Sequence, residues 1–220
     1  MIYNILATGS SGNATIIEDS ILIDCGVSFK TLEPYYKKLK LVLLTHIHSD
    51  HFNKTTIRTL ASNRPTLRFG CCKWLVNDLI ECGVSLNNID VYEIGLKYNY
   101  KAFQLIPIKL YHDVPNCGYR LFINDYKVLY ATDTRTLEGI VAKDYDLYLV
   151  EGNYSDDEIE QRIQKKIEND SFVFEHRVKN SHLSIEQCNN FLIENMGNNS
   201  SYIYMHQHIE KGINTNEEHQ

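Results

Sequence analysis

The feature that most constrains this chain is a cluster of three histidines and an aspartate directly after an apolar run. Residues 41–53 read L-V-L-L-T-H-I-H-S-D-H-F-N. In an extended segment, side chains two positions apart point the same way, so His46 and His48 can bind one ion. Asp50 shares that orientation, and His51 stands where the chain would turn into a following helix. A histidine taken alone is more often structural, but the spacing H-x-H-x-D-H predicts half of a two-metal centre.

Four side chains from one loop cannot complete two coordination shells, so other parts of the chain must supply ligands. The candidates share one context, since each is a polar residue after an apolar strand: His112, Asp133 and His206. Polar residues at strand ends lie along one rim of a sheet, where binding sites tend to assemble. Asp133 is the best candidate for a bridge between two cations, because a carboxylate has two oxygens to share.

Strands and helices are predicted in both halves of the chain, which indicates an α+β or layered α/β domain. Apolar runs bounded by turn residues predict strands over 2–7, 14–18, 21–24, 41–44, 66–70, 91–94, 102–110, 118–123, 127–131, 147–150 and 201–205. Helical spacing predicts helices over 31–39, 53–62, 72–82, 156–168 and 184–195. Ser184 and Gln187 have the spacing of a capping box at the start of the last helix. The Gly-Ser stretch 8–13 and the Asn-Asp pair 124–125 predict turns.

Length and charge limit the classes of protein to consider. We expect one domain over 1–210 of the 220 residues, followed by a disordered polar tail over 211–220. The net charge of −6 disfavours tight non-specific binding to long nucleic acid, but bound cations would reverse the local field for a nucleotide. Neither a secretory signal nor an apolar run of roughly 18–20 residues is visible, so we expect a cytoplasmic protein that does not cross a membrane. The six cysteines have apolar neighbours, which favours reduced, buried thiols.

The sequence resembles metallo-β-lactamase-fold hydrolases over nearly its whole length. The resemblance rests on the later histidine at position 112 and on the stretches T-G-S-S-G-N, I-L-I-D-C-G, T-H-I-H-S-D-H and A-T-D-T-R. It implies a four-layer αββα sandwich of the α+β class, with a dinuclear site between the two sheet edges. By this resemblance one metal is bound by His46, His48 and His112, the other by Asp50, His51 and His206, and both by the bridging Asp133. Asp24 would support the ligand loop from behind, or would be an ordinary turn residue at a strand end.

Three features narrow the resemblance to ribonuclease Z and its small phosphodiesterase and exonuclease relatives. True β-lactamases of this fold have a cysteine at the bridging position, where this chain has Asp133. The stretches D-L-Y-L-V-E-G-N-Y and N-S-H-L-S-I-E-Q-C are similar to later motifs of that group. They imply that Glu151 supports His182 as a proton donor, although His182 could instead only cap the helix that begins near Ser184. No long basic segment of the sequence matches the tRNA-gripping arm of ribonuclease Z, so processing of tRNA precursors is disfavoured.

The last ligand has two candidates, because the final motif departs from the pattern of that group. The chain reads Y-I-Y-M-H-Q-H, with His208 where the group has serine. We prefer His206, because it directly follows the predicted strand.

Together these features predict a hydrolase that cleaves phosphodiester bonds with two divalent metal ions. Imidazole ligands favour Zn²⁺, and the two carboxylates also allow Mn²⁺. Asp50 would orient a metal-activated hydroxide, and His182 would protonate the leaving oxygen. The expected substrate is a nucleotide, cyclic or a short signalling one, or nucleic acid cut by an exonuclease. A thioester or lactone hydrolase and a non-catalytic metal-binding protein are the alternatives, and the resemblance also allows a homodimer.

Overall fold

The computed structural model describes residues 1–207, which form two six-stranded sheets flanked by helices. The first sheet contains, in spatial order, β1 (Tyr3–Ala7), β2 (Ala14–Ile17), β3 (Ile21–Ile23), β4 (Leu41–Leu44), β5 (Arg68–Cys72) and β6 (Ile89–Tyr92). The second contains, also in spatial order, β7 (Tyr98–Asn99), β8 (Phe103–Tyr111), β9 (Pro115–Ile123), β10 (Tyr126–Ala131), β11 (Leu147–Glu151) and β12 (Ser201–Met205). The helices are α1 (Phe29–Leu32), α2 (Lys54–Asn63), α3 (Val76–Glu81), α4 (Asp156–Glu168), α5 (Glu175–Ser181) and α6 (Ile185–Asn195).

Strand β4 is buried on both faces, which explains why its sequence lacks a polar alternation. Leu41 and Leu43 point into the core between the two sheets, where Tyr119 of β9 also lies. Val42 and Leu44 point the opposite way and pack in a cluster with residues of α1, α2 and α3. The helices therefore cover the outer face of the first sheet.

The second sheet is covered in the same way by α6. Leu129 of β10 and Val150 of β11 share a buried cluster with Phe191 and Leu192 of that helix. The layers therefore run helix, sheet, sheet, helix, and the predicted αββα sandwich is confirmed.

Strand direction brings the ends of several strands to one edge of the sandwich. Strands β10, β11 and β12 are parallel, and β8 runs in the same direction because both β8 and β10 are antiparallel to β9. In the first sheet, β3 and β4 are parallel. The polar residues that follow these strands therefore meet at one rim.

Several predicted elements differ from the structure. The helix predicted over 31–39 ends at Leu32, since Pro34 has no backbone N–H to continue the ladder. The helix predicted over 72–82 is divided, because Cys72 ends β5 and a 3₁₀ turn over Lys73–Leu75 precedes α3. Strand β7 and helix α5 are absent from the sequence-based prediction.

Three further predictions concern the C-terminal tail, the cysteines and membrane-spanning helices. The predicted tail and His208 lie outside the described residues. All six cysteines are buried, with free thiols. Within residues 1–207, no helix is both long enough and apolar enough to cross a membrane.

Candidate metal centre

The first group of candidate ligands consists of three imidazoles from two sheets. His46 and His48 follow β4, and His112 follows β8. Their ring centroids are 4.9 to 5.2 Å apart, and one ring nitrogen of each lies within 4.8 Å of the others. Three nitrogen donors at this spacing suit one transition-metal ion.

Hydrogen bonds fix which nitrogens of this group face the shared space. Thr45 donates its hydroxyl proton to Asp24 (2.9 Å), so the hydroxyl oxygen accepts a hydrogen bond from Nδ1 of His46 (2.9 Å). Because Nδ1 of His46 carries the proton, Nε2 of His46 has a free lone pair. That Nε2 is buried and has no hydrogen-bond partner among residues 1–207. Nδ1 of His112 donates to the carbonyl of Ser181 (2.9 Å), so its Nε2 is likewise available, 3.2 Å from Nδ1 of His48. A buried ring nitrogen whose lone pair accepts no hydrogen bond is free to bind a metal ion.

The second group consists of Asp50, His51 and His206. Nε2 of His206 lies 3.3 Å from Oδ2 of Asp50, and Nε2 of His51 lies 3.7 Å from the same oxygen. One ligand atom of each residue falls within 4.8 Å of the others. The structure therefore brings together Asp50, His51 and His206, the three residues that the resemblance implies for the second metal.

Asp24 lies behind both groups and is fully buried. Its carboxylate accepts from Nδ1 of His51 (2.7 Å), the hydroxyl and backbone N–H of Thr45 (2.9 and 3.0 Å), and the phenol of Tyr130 (3.0 Å). It thus orients His51 directly and His46 through Thr45. The motif spacing does not predict that Thr45 and Tyr130 donate hydrogen bonds to Asp24.

The carboxylate of Asp133 faces both groups, as a bridging ligand would. Oδ2 lies 2.8 Å from Nε2 of His51, and Oδ1 lies 3.5 Å from Nε2 of His206 and 3.8 Å from Nε2 of His112. Oδ2 is buried and has no hydrogen bond of normal geometry within the described chain. Asp133, Asp24 and His206 also have positive φ angles of 57°, 59° and 55°, a conformation that costs energy and is common at functional sites.

Burial and the neighbouring charged groups shift the pKa values of the histidines in the site. Burial, followed by repulsion from His51, holds the pKa of His46 well below its usual range. Burial alone would lower the pKa of His51, but Asp133 and Asp24 outweigh it and raise that pKa well above its usual value. For His206 the effect of burial is outweighed mainly by Asp133, which raises its pKa to about 10. Protons on His51 and His206 and a bound cation are therefore alternative ways to balance the buried carboxylate of Asp133.

His182 and Glu151 form a separate pair beside these ligands. Nδ1 of His182 donates to Oε1 of Glu151 (2.7 Å), and the ring of His182 stacks on that of His206 with centroids 5.1 Å apart. Glu151 is fully buried, and its other oxygen accepts from the backbone of Thr134 (2.8 Å). Ser184, whose side chain accepts from the backbone of Gln187, caps α6, so His182 is not its cap.

The ligand loop is held from one side by the Gly-Ser turn 8–13. The backbone N–H of Asn13 donates to the carbonyl of Asp50 (2.6 Å), and its side-chain amide lies 2.8 Å from Nε2 of His51. Thr8 accepts from the backbone N–H of His206 (2.7 Å). The turn thus connects ligands of both sheets, a function that its composition alone does not reveal.

Comparison with known proteins identifies the family. The model of the beta-lactamase superfamily domain matches residues 19–206. The chain belongs to this superfamily. Over 98% of its length and 84% of the other protein, it is 27% identical to the exodeoxyribonuclease WalJ of Streptococcus pneumoniae.

Solved structures of the superfamily share the fold at low identity. The metallo-beta-lactamase fold protein YhfI from Bacillus subtilis has a TM-score of 0.70 at 15% identity, with 93% of this chain and 85% of that chain covered. The short form of human tRNase Z has a TM-score of 0.69 at 15% identity, with 94% and 92% covered.

In this superfamily member a cleft of about 340 Å³ is lined by five of the candidate ligands: His48, Asp50, His112, Asp133 and His206. One wall is formed by α5 and the loop before it, with Phe174, Arg177 and Val178 lining the cleft. Asp113 lies at the rim, where Oδ1 is 3.2 Å from Nε2 of His112 and Oδ2 accepts from Arg177 (2.7 Å). Sequence reasoning missed Asp113 and Arg177. The only available signal was that Asp113 directly follows a predicted ligand.

Proposed function

We propose that this protein is a metal-dependent hydrolase that cleaves phosphodiester bonds of nucleic acid. The observation that carries the proposal is the Glu151–His182 pair, because His182 lines the same cleft as five of the seven candidate ligands. A proton donor placed beside a cationic centre suits a reaction in which an alkoxide must leave. The similarity to an exodeoxyribonuclease over 98% of the chain supports nucleic acid as the substrate.

The donor set fits two divalent ions. His46, His48 and His112 would hold one, and Asp50, His51 and His206 the other, with Asp133 shared between them. The unpartnered Nε2 of His46 supports this assignment, and the majority of imidazole donors favours Zn²⁺ over Mn²⁺. When bound, such ions lower the pKa of a coordinated water and neutralise charge on a phosphate.

The protein itself would supply orientation and one proton. Asp50 has a side chain that is 21% exposed toward the cleft, so its carboxylate can accept a hydrogen bond from the attacking water. Glu151 occupies Nδ1 of His182, so Nε2 is the ring atom that can donate to the leaving oxygen. Burial alone would lower the pKa of His182, but the hydrogen bond to Glu151 outweighs it and raises that pKa, which keeps the proton available near neutral pH.

The proposal is tested with purified full-length protein. We expect about two bound transition-metal ions per chain by elemental analysis, and hydrolysis of bis(p-nitrophenyl) phosphate and of end-labelled DNA. Asp133→Ala should abolish both properties, whereas Asp125→Ala, at the exposed turn between β9 and β10, should preserve them. Hydrolysis that survives removal of all metal, or an Asp133→Ala variant with full metal and activity, would refute the proposal.

A small nucleotide is the alternative substrate, which the net charge of −6 favours. The two substrates differ in the number of phosphates that contact the protein. With a long strand, log kcat/KM should fall steeply with log salt concentration, by roughly 0.7 for each phosphate contacted. With a mononucleotide the slope should be shallow.

A further inference from the structure

We propose that the loop 171–174 and the cleft-facing side of α5 form a binding site for single-stranded nucleic acid that leads into the metal cleft. In this site Arg177 binds a backbone phosphate, and Phe172 and Phe174 stack on unpaired bases. The inference deepens the proposed function, on which it rests, by naming the form of nucleic acid that reaches the cleft.

The charge of this region differs from that of the whole protein. The chain has a net charge of −6, whereas residues 171–181 contain two basic residues and one acidic residue. The acidic residue, Glu175, is buried and paired with Lys166 (2.7 Å). Of the two basic residues, Arg177 lines the cleft, and a positive charge at that position favours binding of a polyanion.

Two phenylalanines in the loop are exposed. Phe172 is 86% exposed and Phe174 is 46% exposed, although phenylalanine is among the side chains most often buried. Phe174 lines the cleft, and the ammonium of Lys166 lies 3.6 Å from its ring centroid. Exposed aromatic rings interleaved with cations provide a stacking platform for unpaired bases, which a duplex does not offer.

Arg177 is held over the cleft by an ion pair. Its guanidinium donates to Oδ2 of Asp113 (2.7 Å), while its side chain stays 78% exposed. Oδ1 of the same carboxylate is 3.3 Å from Nε2 of His48 and 3.2 Å from Nε2 of His112, so Asp113 fixes Arg177 next to the first group of ligands. A guanidinium in that position can form paired hydrogen bonds to a phosphate near the centre.

The opposite side of α5 faces α4 and offers a matched control. Lys179 forms an ion pair with Glu160 of α4 and does not line the cleft. Lys179→Gln and Arg177→Gln therefore remove the same charge from the same helix, but only Arg177→Gln removes it from the cleft.

The test measures binding to the metal-loaded full-length protein by fluorescence anisotropy. The probe is a fluorescein-labelled single strand of ten nucleotides, whose phosphorothioate linkages resist hydrolysis. Arg177→Gln should weaken binding about tenfold and reduce the slope of log K against log salt concentration by about 0.7. Phe172→Ala should weaken binding about tenfold without a change of slope, because stacking is not ionic. Lys179→Gln should stay within about twofold of the wild type, since a screened surface charge contributes little.

The inference is overturned if Arg177→Gln and Phe172→Ala bind like the wild type, or if Lys179→Gln loses as much affinity as Arg177→Gln. Equal affinity for a blunt duplex of the same length would also overturn it. Circular dichroism would verify that each variant is folded. Because binding is read without hydrolysis, a protein that binds the strand but does not cut it would refute only the proposed function.

Discussion

At the scale of single residues, the Glu151–His182 pair gives a prediction that depends on the leaving group. His182→Ala should slow cleavage of an oligonucleotide, whose leaving alkoxide needs a proton, by about 10²- to 10⁴-fold. Hydrolysis of bis(p-nitrophenyl) phosphate should fall by less than about tenfold, because p-nitrophenolate leaves without protonation. Single-turnover rates on both substrates, with metal content measured in parallel, would check this. Equal losses on both substrates would mean that His182 acts by maintaining the metal site.

The same pair predicts a shift in the pH profile. Glu151 raises the pKa of His182, so the proton-donating form is present below that pKa and is lost as pH rises through it. Glu151→Gln removes the charge that raises this pKa, and the decline of oligonucleotide cleavage at high pH should therefore begin at a lower pH. A profile of kcat against pH for the two proteins measures the shift. An unchanged high-pH limb would exclude His182 as the donor.

Metal loading should release protons from specific histidines. The pKa of His51 is raised well above its usual value and that of His206 to about 10, so both rings must lose a proton before Nε2 can bind a cation. The apparent affinity for Zn²⁺ should therefore increase with pH between about 6 and 8. Calorimetry in buffers of different ionisation enthalpy would count the protons.

Two variants provide the controls for that count. His206→Ala should release about one proton fewer on binding Zn²⁺. His46→Ala should weaken binding with the count unchanged, because the pKa of His46 is already low. Zinc affinity that is independent of pH would contradict the prediction.

The candidate ligands from His46 to His51 form a local motif, whereas the site residues that the sequence does not predict are recognised only by contacts between distant parts of the sequence. The spacing H-x-H-x-D-H is local, so it indicates metal binding before the fold is known. Thr45 and Tyr130 donate hydrogen bonds to Asp24, and Arg177 donates to Asp113. These contacts join residues far apart in sequence, and one chain without its fold gives no signal for them.

At the scale of elements, Gly26 determines how the strand end after β3 meets the ligand loop. A Cβ at Gly26 would lie 1.6 Å from the carbonyl oxygen of Asp50, so no other residue fits without displacement of the loop. Gly26→Ala should lower the free energy of unfolding by about 3 kcal/mol or more and reduce metal content. Gly95→Ala is the control, since its Cβ would meet no described atom within 4 Å and only its positive φ would cost about 1 kcal/mol. Urea denaturation of both variants would decide, and equal losses of stability would contradict the steric argument.

Elements with a strong periodic pattern were predictable, and those held by tertiary contacts were not. Strand β4 and helix α4 have the bounds that the pattern predicts, 41–44 and 156–168. Helix α5 reads E-H-R-V-K-N-S, which has little apolar periodicity, and ion pairs with α4 and with Asp113 hold it. The cleft wall therefore could not be predicted, although it carries the proposed strand-binding site.

At the scale of the whole molecule, the site exists because the two sheets are packed with their strand ends at one rim. His46, His48, Asp50 and His51 follow a strand of the first sheet, whereas His112, Asp133 and His206 follow strands of the second. Apolar runs predict the strands, but their order and directions depend on long-range pairing, which periodicity does not encode. Only the resemblance to a known fold could assign the sandwich from sequence.

Because the candidate ligands come from both sheets, bound metal ions should join the two halves of the sandwich and stabilise the domain. Ligands that bind only the folded state contribute about 2.7 kcal/mol when their free concentration is 100-fold above Kd. For a chain of this size, that corresponds to an increase in Tm of about 5–10 °C. Differential scanning calorimetry of zinc-loaded protein, of chelator-treated protein and of the same sample after zinc is restored would measure the change. Asp133→Ala should have a Tm that the chelator hardly affects, since it lacks the carboxylate that faces both ligand groups. If the chelator removes the metal and leaves the wild-type Tm unchanged, the ions do not connect the two sheets.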